Sequence, residues 1–459
     1  MIDSTFVGRT EELSYLQEAW DSNRFEFCVL YGRRRVGKTA LVSRFCADKP
    51  HIFHMGQLGS EAVELSNLSQ AVSRGVFESA TVNFSSFEDV LRYLSEISKD
   101  ERLIFVIDEF PYLAKSIVSA MSSLQHAIDH YLGRGKLMII LTGSSISFME
   151  QEVLGHKSPL YGRRTRTLKL GPLSLGETAL LCRRSAVESV LVHAMTGGIP
   201  LYVQYFSDPQ QPLFDAIESV WFTKTGLLYQ EPQFLLTMET RKGDQYMQLL
   251  SLLASGATKP NELATKLGIS SAHIAALLST LATLGIVEKR FPFSEQQQRK
   301  GVWTIIDPLF AFHLRFVYPY LAVLELGKRS GAMKVLSAQF DQFVGTRFEL
   351  MCHRYFIEHT QREIIAIAHW WGPNAKPGRN EEIDLVAQDI NGGMVFGECK
   401  WRNTPVGMGE YQKLKERSDL LPGGTEREFW LFSKSGFTEE LRSAQKATLV
   451  ELEEMVRER

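Results

Sequence analysis

Short apolar runs without alternation mark the first part of the chain at residues 103–107 (LIFVI) and 137–141 (LMIIL), and residues 25–30 (FEFCVL) make a strand-like run that carries Glu26. Such unbroken runs suit strands covered on both faces, as in a parallel sheet with helices on either side. A further strand is expected at 165–170, and the segment ALVSRF after residue 39 has the apolar spacing of a helix. Residues 244–306 change rhythm. Helical spacing in DQYMQLLSLLAS, KPNELATKLG and SAHIAALLSTLATLG, followed by a two-stranded segment ending VWTIID, predicts a winged helix. The aromatic stretch from Asp307 (DPLFAFHLRF) reads as core. From about residue 335 the pattern predicts helix 339–359, strands 364–370, 383–387 and 395–400, a helix near 410–420, strand 429–432 and a last helical segment. That order gives an α/β sandwich with a hairpin at its centre.

Composition narrows the class. With 459 residues the chain holds several cores; 44% apolar and 23% charged residues exclude a disordered or fibrous chain. No apolar stretch approaches a membrane span and the first residues lack a secretory signal, so no membrane partner and a cytoplasmic location are expected. The five cysteines (Cys28, Cys46, Cys182, Cys352, Cys399) form no CxxC pair and read as ordinary thiols. Lysines and arginines number 51 against 53 acids, so any nucleic-acid contact has to be local.

Candidate chemistry begins after the first strand, with Gly32, Arg33, Arg34, Arg35, Val36, Gly37, Lys38 and Thr39 in the pattern GxxxxGK[ST], followed by Ala40 and a helix. In this strand–loop–helix setting backbone amides wrap phosphates, Lys38 reaches the outer phosphates and Thr39 ligates Mg²⁺. The three loop arginines read equally as a solvated face or as charge near the nucleotide. The strand at 103–107 ends in Asp108 and Glu109, where Asp108 is expected to hold Mg²⁺ and Glu109 to orient the attacking water. The strand at 137–141 ends in Thr142-Gly-Ser144-Ser145, with Ser144 as a sensor of the terminal phosphate or as a helix cap. Arg163 and Arg164, just before the strand at 165–170, are candidates for an arginine finger on a neighbouring copy in a homo-oligomer, or plain surface arginines.

Two further patterns lie downstream. The expected recognition helix, 271–284, contains no lysine or arginine and only His273 as a long polar side chain, which favours packing over base reading. Basic residues gather near the wing instead, at Lys289, Arg290, Arg299 and Lys300. In the C-terminal part, Asn391-Gly-Gly is a hairpin signal that brings Asp384 within a residue of lying opposite Glu398, and period-2 alternation puts Glu398 and Lys400 on one face. Two carboxylates and a lysine make a centre for a hard metal and phosphodiester cleavage, with Asp384 and Glu398 as ligands; a salt-bridged surface is the plain alternative.

The first part resembles the AAA-type P-loop ATPases with an extra catalytic Glu strand, and more narrowly the archaeal-type ATPases related to the signalling STAND ATPases. FVGRTEEL, GRRRVGKT, DEFPYL, SPLYGRR and TGGIPLY carry the resemblance over about the first 240 residues. It implies that Val7, Gly8 and Arg9 border the adenine and that Gly198 and Pro200 shape a helical lid. The Asp…ExK arrangement resembles the PD-(D/E)xK nuclease superfamily and the uncharacterised domain that accompanies archaeal-type ATPases, which implies Glu349 and Gln412 as accessory residues. The resulting expectation is an α/β protein of three parts: a P-loop AAA-like ATPase domain with helical lid (1–240), a winged helix with connecting helices (241–334) and a restriction-endonuclease-like domain (335–459). ATP and Mg²⁺ are the expected cofactors. ATP-controlled, Mg-dependent cleavage of nucleic acid is the expected function, with a signalling switch or scaffold as the alternative.

Overall fold

The computed structural model describes residues 6–76, 82–240, 242–293, 301–373, 380–423 and 426–457. The chain forms two compact units, one of Met1–Pro172 with Ile199–Leu201 and one of Leu173–Gly198 with Tyr202–Arg459.

In the first unit, strands β1 (Glu26–Tyr31), β2 (His51–Met55), β3 (Leu103–Asp108), β4 (Leu137–Gly143) and β5 (Arg166–Lys169) make one sheet in the order β2-β3-β4-β1-β5. All neighbours run parallel. Every residue of β1, β3 and β4 is buried, which is why their middles are apolar, with the polar residues Glu26, Asp108 and Thr142 at or near the strand ends. Helices α1 (Thr10–Asp21), α2 (Lys38–Cys46), α3 (Glu61–Val76), α4 (Phe87–Ile97), α5 (Phe110–Ser116) and α6 (Ala120–His130) belong to the same unit. Helix α4 begins at Ser86, whose side chain accepts from the Asp89 amide, and it buries Phe87, Val90, Leu91 and Leu94. The strand order matters for chemistry. It sets the carboxyl ends of β3, β4 and β1 side by side, the place where open α/β sheets bind ligands.

The second unit opens with helices Leu175–Cys182, whose Ser174 and Glu177 form a reciprocal cap, and Ala186–Thr196. Gly198, at φ 72°, sits so close to the chain that a Cβ there would lie 2.3 Å from the Leu173 carbonyl oxygen, so the turn accepts only glycine. Helices Gly243–Ala254, Pro260–Leu267 and Ser271–Thr283 follow, then an antiparallel ribbon of β6 (Val287–Arg290) and β7 (Val302–Ile305). Arg299 and Lys300, expected at the ribbon, lie outside the described residues. The aromatic stretch is core, with Phe310, Phe312 and Phe316 fully buried and Phe312 meeting Trp221, Phe340 and Phe343.

The C-terminal sheet contains β8 (Ile364–Pro373), β9 (Asn380–Asp389), β10 (Met394–Lys400), β11 (Arg427–Ser433) and β12 (Thr448–Glu451) in the order β12-β11-β10-β9-β8. Neighbours β8, β9 and β10 are antiparallel, whereas β11 and β12 join parallel. Helices Ser330–His359 and Met408–Ser418 contact β9 and β10. Two expectations need correction. The long helix starts at Ser330, not 339, because Ala332 and Leu336 continue its buried face with Phe340, Phe343 and Val344. The expected terminal helix is interrupted by β12, where backbone pairing with Trp430–Ser433 outweighs helical spacing.

Candidate functional site

The phosphate-type loop leaves β1 at Tyr31 and enters α2 at Lys38 through Gly37, whose φ of 95° favours glycine. Lys38 is buried, and its ammonium donates to the carbonyls of Gly32 (2.9 Å) and Arg33 (3.1 Å). Thr39 Oγ1 donates to Asp108 Oδ2 at 2.8 Å, which brings the expected hydroxyl and carboxylate together across two elements. Ala40 is exposed beside them, while Arg33, Arg34 and Arg35 are half-buried, with Arg34 donating to the Tyr112 hydroxyl at 2.6 Å.

Asp108, at the buried end of β3, also accepts a hydrogen bond from the Thr142 hydroxyl. The next residue, Glu109, takes a left-handed backbone (φ 53°) that turns the chain into α5. Its amide donates to Thr142 Oγ1 at 3.2 Å, and its Oε2 accepts from the Ser144 hydroxyl (2.8 Å) and amide (3.2 Å). Ser144 therefore holds Glu109. Thr142, which the sequence offers only as the first residue of the polar segment 142–145, ties Asp108 to Glu109 through its hydroxyl, a link that depends on β4 lying beside β3. Behind them Gly56 donates to the Asp108 carbonyl at 2.8 Å, and a Cβ on it would stand 2.8 Å from the Glu109 carbonyl oxygen.

The flanking candidates fall as follows. Val7 and Gly8 are half-buried; Arg9 is buried and donates to the carbonyls of Val36 and Gly171. Arg163 grips Asp129 with two hydrogen bonds of 2.8 Å and donates to the carbonyls of Pro159 and Tyr161, whereas Arg164 is exposed, with one contact of 3.5 Å to the Leu154 carbonyl. Pro200 begins the short helix Pro200–Gln204.

In the second unit the hairpin turn forms at Asn391-Gly392-Gly393, where Asp389 Oδ1 accepts from the amides of Asn391 (2.9 Å) and Gly393 (2.8 Å). Pairing of β9 with β10 runs from Gln388 opposite Met394 to Leu385 opposite Gly397, so one step further Asp384 stands across from Glu398. Asp384 Oδ2 accepts the Cys399 amide at 2.8 Å, and Lys400 pairs with Glu398. Burial and then the Glu398 charge hold the Asp384 carboxyl above the usual carboxylate range. Glu349, on the long helix, is pushed up to about 8 by burial and then by the Asp384 charge. Burial works against the Lys400 charge, yet the attraction of Glu398 and Asp384 leaves its pKa raised.

Gln412 is exposed on helix Met408–Ser418. The residue of that helix at the acids is Arg417, which contacts Glu398 (3.2 and 3.3 Å) and Glu381 (3.0 Å). Nothing in the sequence singled out Arg417, because its role depends on how the helix docks. Among the described residues no cluster of three or more His, Cys, Asp or Glu side chains is arranged to hold a metal ion.

The ribbon is tied down within this unit. The Phe293 amide donates to the His369 carbonyl at 2.9 Å, and Arg347 donates to the carbonyls of Ile305 (3.2 Å) and Ile306 (3.3 Å). Of the expected recognition residues, Ser271 is exposed and bonds Asn261 at 3.2 Å, His273 is half-buried, Lys289 is exposed, and Arg290 pairs with Glu288.

Comparison with known proteins places these sites in context. Residues 6–206 match a family described as an ATPase domain predominantly from Archaea, and residues 313–416 match a family of archaeal and bacterial proteins of unknown function. An uncharacterized protein of Methanocaldococcus jannaschii is 32% identical over 406 residues, which is 87% of this chain and 88% of the relative. Among solved structures, a Walker-type ATPase of Pyrococcus abyssi superposes with a TM-score of 0.50 at 19% identity, covering 68% of this chain and 96% of its own, a likeness of fold alone. The ORC2 protein of Aeropyrum pernix, solved in ADPNP and ADP complexes, gives a TM-score of 0.42 at 13% identity over 73% of this chain and 98% of its own.

Proposed function

The chain belongs to the archaeal-type P-loop ATPases, and from that premise we propose that ATP hydrolysis in its first unit controls a metal-dependent, nuclease-type centre in its second. At the first site Lys38, held against the Gly32 and Arg33 carbonyls, is the cation that meets the outer phosphates. Thr39 and Asp108 lie 2.8 Å apart, a hydroxyl and a carboxylate that fit Mg²⁺, and these two would hold it. When bound, Mg²⁺ offsets the charge that builds on the phosphate oxygens. Glu109 orients and polarises the attacking water, and its bonds to Thr142 and Ser144 fix where its carboxylate points.

The second site is a PD-(D/E)xK-like centre on a restriction-endonuclease-like sheet, preceded by a winged helix that packs. The observation that carries it is the hairpin register, which sets Asp384 across from Glu398 with Lys400 on the same face. Burial and the neighbouring Glu398 charge raise the proton affinity of Asp384, an environment that suits a hard divalent ion, and Asp384 and Glu398 would hold it. That ion supplies activation of water and stabilisation of the attacked phosphate. Lys400 then orients the water, and Glu349 lies close enough for the Asp384 charge to act on it. Nucleic acid is the proposed substrate. Arg164, exposed where Arg163 is engaged, is the proposed finger toward a second copy.

Arg417 favours a second reading. It touches both oxygens of Glu398, so the acids and bases also fit a closed salt-bridge network in a switch or scaffold without cleavage. Calorimetric titration of the nucleotide-free full chain with Mn²⁺ separates the two: the nuclease reading expects binding that Asp384→Ala and Glu398→Ala abolish. Absence of binding, with nucleic acid present as well, leaves the scaffold.

A further inference from the structure

Arg9 stands just before α1 with a left-handed backbone (φ 62°) and a buried side chain. The family resemblance puts it beside the base, but in the structure its guanidinium lies against a backbone carbonyl of the phosphate loop. Nη2 donates to the Val36 carbonyl at 3.2 Å and to the Gly171 carbonyl at 2.7 Å, while Nη1 pairs with Glu12 at 2.9 Å. The planar fork lets one side chain make these contacts in fixed directions, which a lysine does not reproduce.

Val36 shares a peptide plane with Gly37, and in a trans peptide the C=O and N–H point to opposite sides. Holding the Val36 carbonyl against Arg9 therefore turns the Gly37 amide toward the opposite face of the loop. Gly37 is the residue through which the loop enters α2, where amides serve phosphate. The second anchor backs the same loop at its other end: a Cβ on Gly32 would lie 2.4 Å from the Leu170 carbonyl oxygen, one residue before Gly171. One guanidinium thus connects the loop's far end to the stretch on which its near end rests.

We infer that Arg9 is a positioning residue of the phosphate loop, which aims the Gly37 amide at a nucleotide phosphate, and that it does not read the base. The inference rests on the ATP-binding reading of this loop. Calorimetry of the full-length protein with Mg²⁺ and ATP, ADP, adenosine or tripolyphosphate tests it. Arg9→Ala is expected to weaken ATP, ADP and tripolyphosphate about tenfold, the scale of one charge-assisted hydrogen bond, and adenosine by less than about twofold. Arg9→Lys, reaching one carbonyl, is expected to fall between. Equal weakening of ATP and adenosine, or unchanged ATP affinity, overturns the inference, since a base contact or mere surface packing accounts for those results. Should Arg9→Ala fail to fold, Glu12→Ala carries the test. A drop in the ATP-to-adenosine affinity ratio of at least about twofold supports the brace, and an unchanged ratio overturns it. Failure of the unmutated protein to bind ATP, ADP and tripolyphosphate overturns the ATP reading itself and the brace with it.

Discussion

Thr142 donates to Asp108 and accepts from the Glu109 amide, so Thr142→Val removes one shared hydroxyl from both acidic residues while keeping the side-chain shape. A buried donor left without its partner costs about 1–3 kcal/mol, and hydrolysis depends on where these carboxylates point. Thr142→Val is therefore expected to slow ATP turnover at least about tenfold in a steady-state assay, with ATP affinity reduced far less. Glu109→Gln goes further: binding persists while turnover falls about 100-fold or more, as expected for loss of a positioned base, and turnover at the parent rate would refute that role. Histidines set a separate limit on stability. His313 is buried with Nε2 3.0 Å from the Tyr229 carbonyl, and burial pushes its pKa down to about 4. His193, 2.9 Å from the Thr178 hydroxyl, is lowered to about 4 by burial and then by the Arg354 charge. Both are neutral in the fold. Between pH 6.5 and 4 these two side chains bind more protons in the unfolded chain, so their own contribution to stability is full above about 6.5 and is lost as pH drops, by about 3 kcal/mol per histidine, while the raised carboxyls of Glu349 and Asp384 act in the opposite direction. Urea denaturation of the parent and of His313→Gln at pH 7 and pH 5 checks this: the stability difference between the two proteins is expected to shift in favour of His313→Gln at pH 5, and a difference that does not change with pH contradicts it.

Elements differ in how plainly the sequence announces them. Strands β3 and β4 were legible because burial on both faces demands apolar runs, β1 because its strand-like run leads straight into the loop, and the loop because Gly37 and Lys38 have few other uses together. By contrast β2 reads HIFHM with exposed ends, and β12 has four residues whose partner lies on another strand, so neither shows in local periodicity. The hairpin turn gave the Asp384–Glu398 pairing in advance because register follows turn geometry. Arg417 and the grip of Arg163 on Asp129 were illegible, since both depend on how distant segments dock. The uncharged helix Ser271–Thr283 and the ribbon bonded to His369 and Arg347 argue for packing over base reading. Replacing Ser271 and His273 by alanine is accordingly expected to leave DNA affinity within about twofold in a filter-binding assay; a loss beyond about tenfold, the worth of one good base contact, contradicts it.

On the scale of the whole molecule, a P-loop ATPase unit and a unit bearing paired acids share one chain, and no helix among the described residues is long and apolar enough to cross a membrane. ATPase chemistry in the first unit gains purpose if it governs chemistry in the second. The measurement that tests this most directly is incubation of the purified full chain with single- and double-stranded DNA and RNA, Mg²⁺ or Mn²⁺, with and without ATP, beside Glu109→Gln and Asp384→Ala. The account predicts divalent-dependent cleavage that changes with ATP, a changed ATP response in Glu109→Gln, and in Asp384→Ala no cleavage with ATP turnover kept within about twofold. Undiminished ATP turnover with no cleavage of any substrate, or cleavage that survives Asp384→Ala, would contradict it.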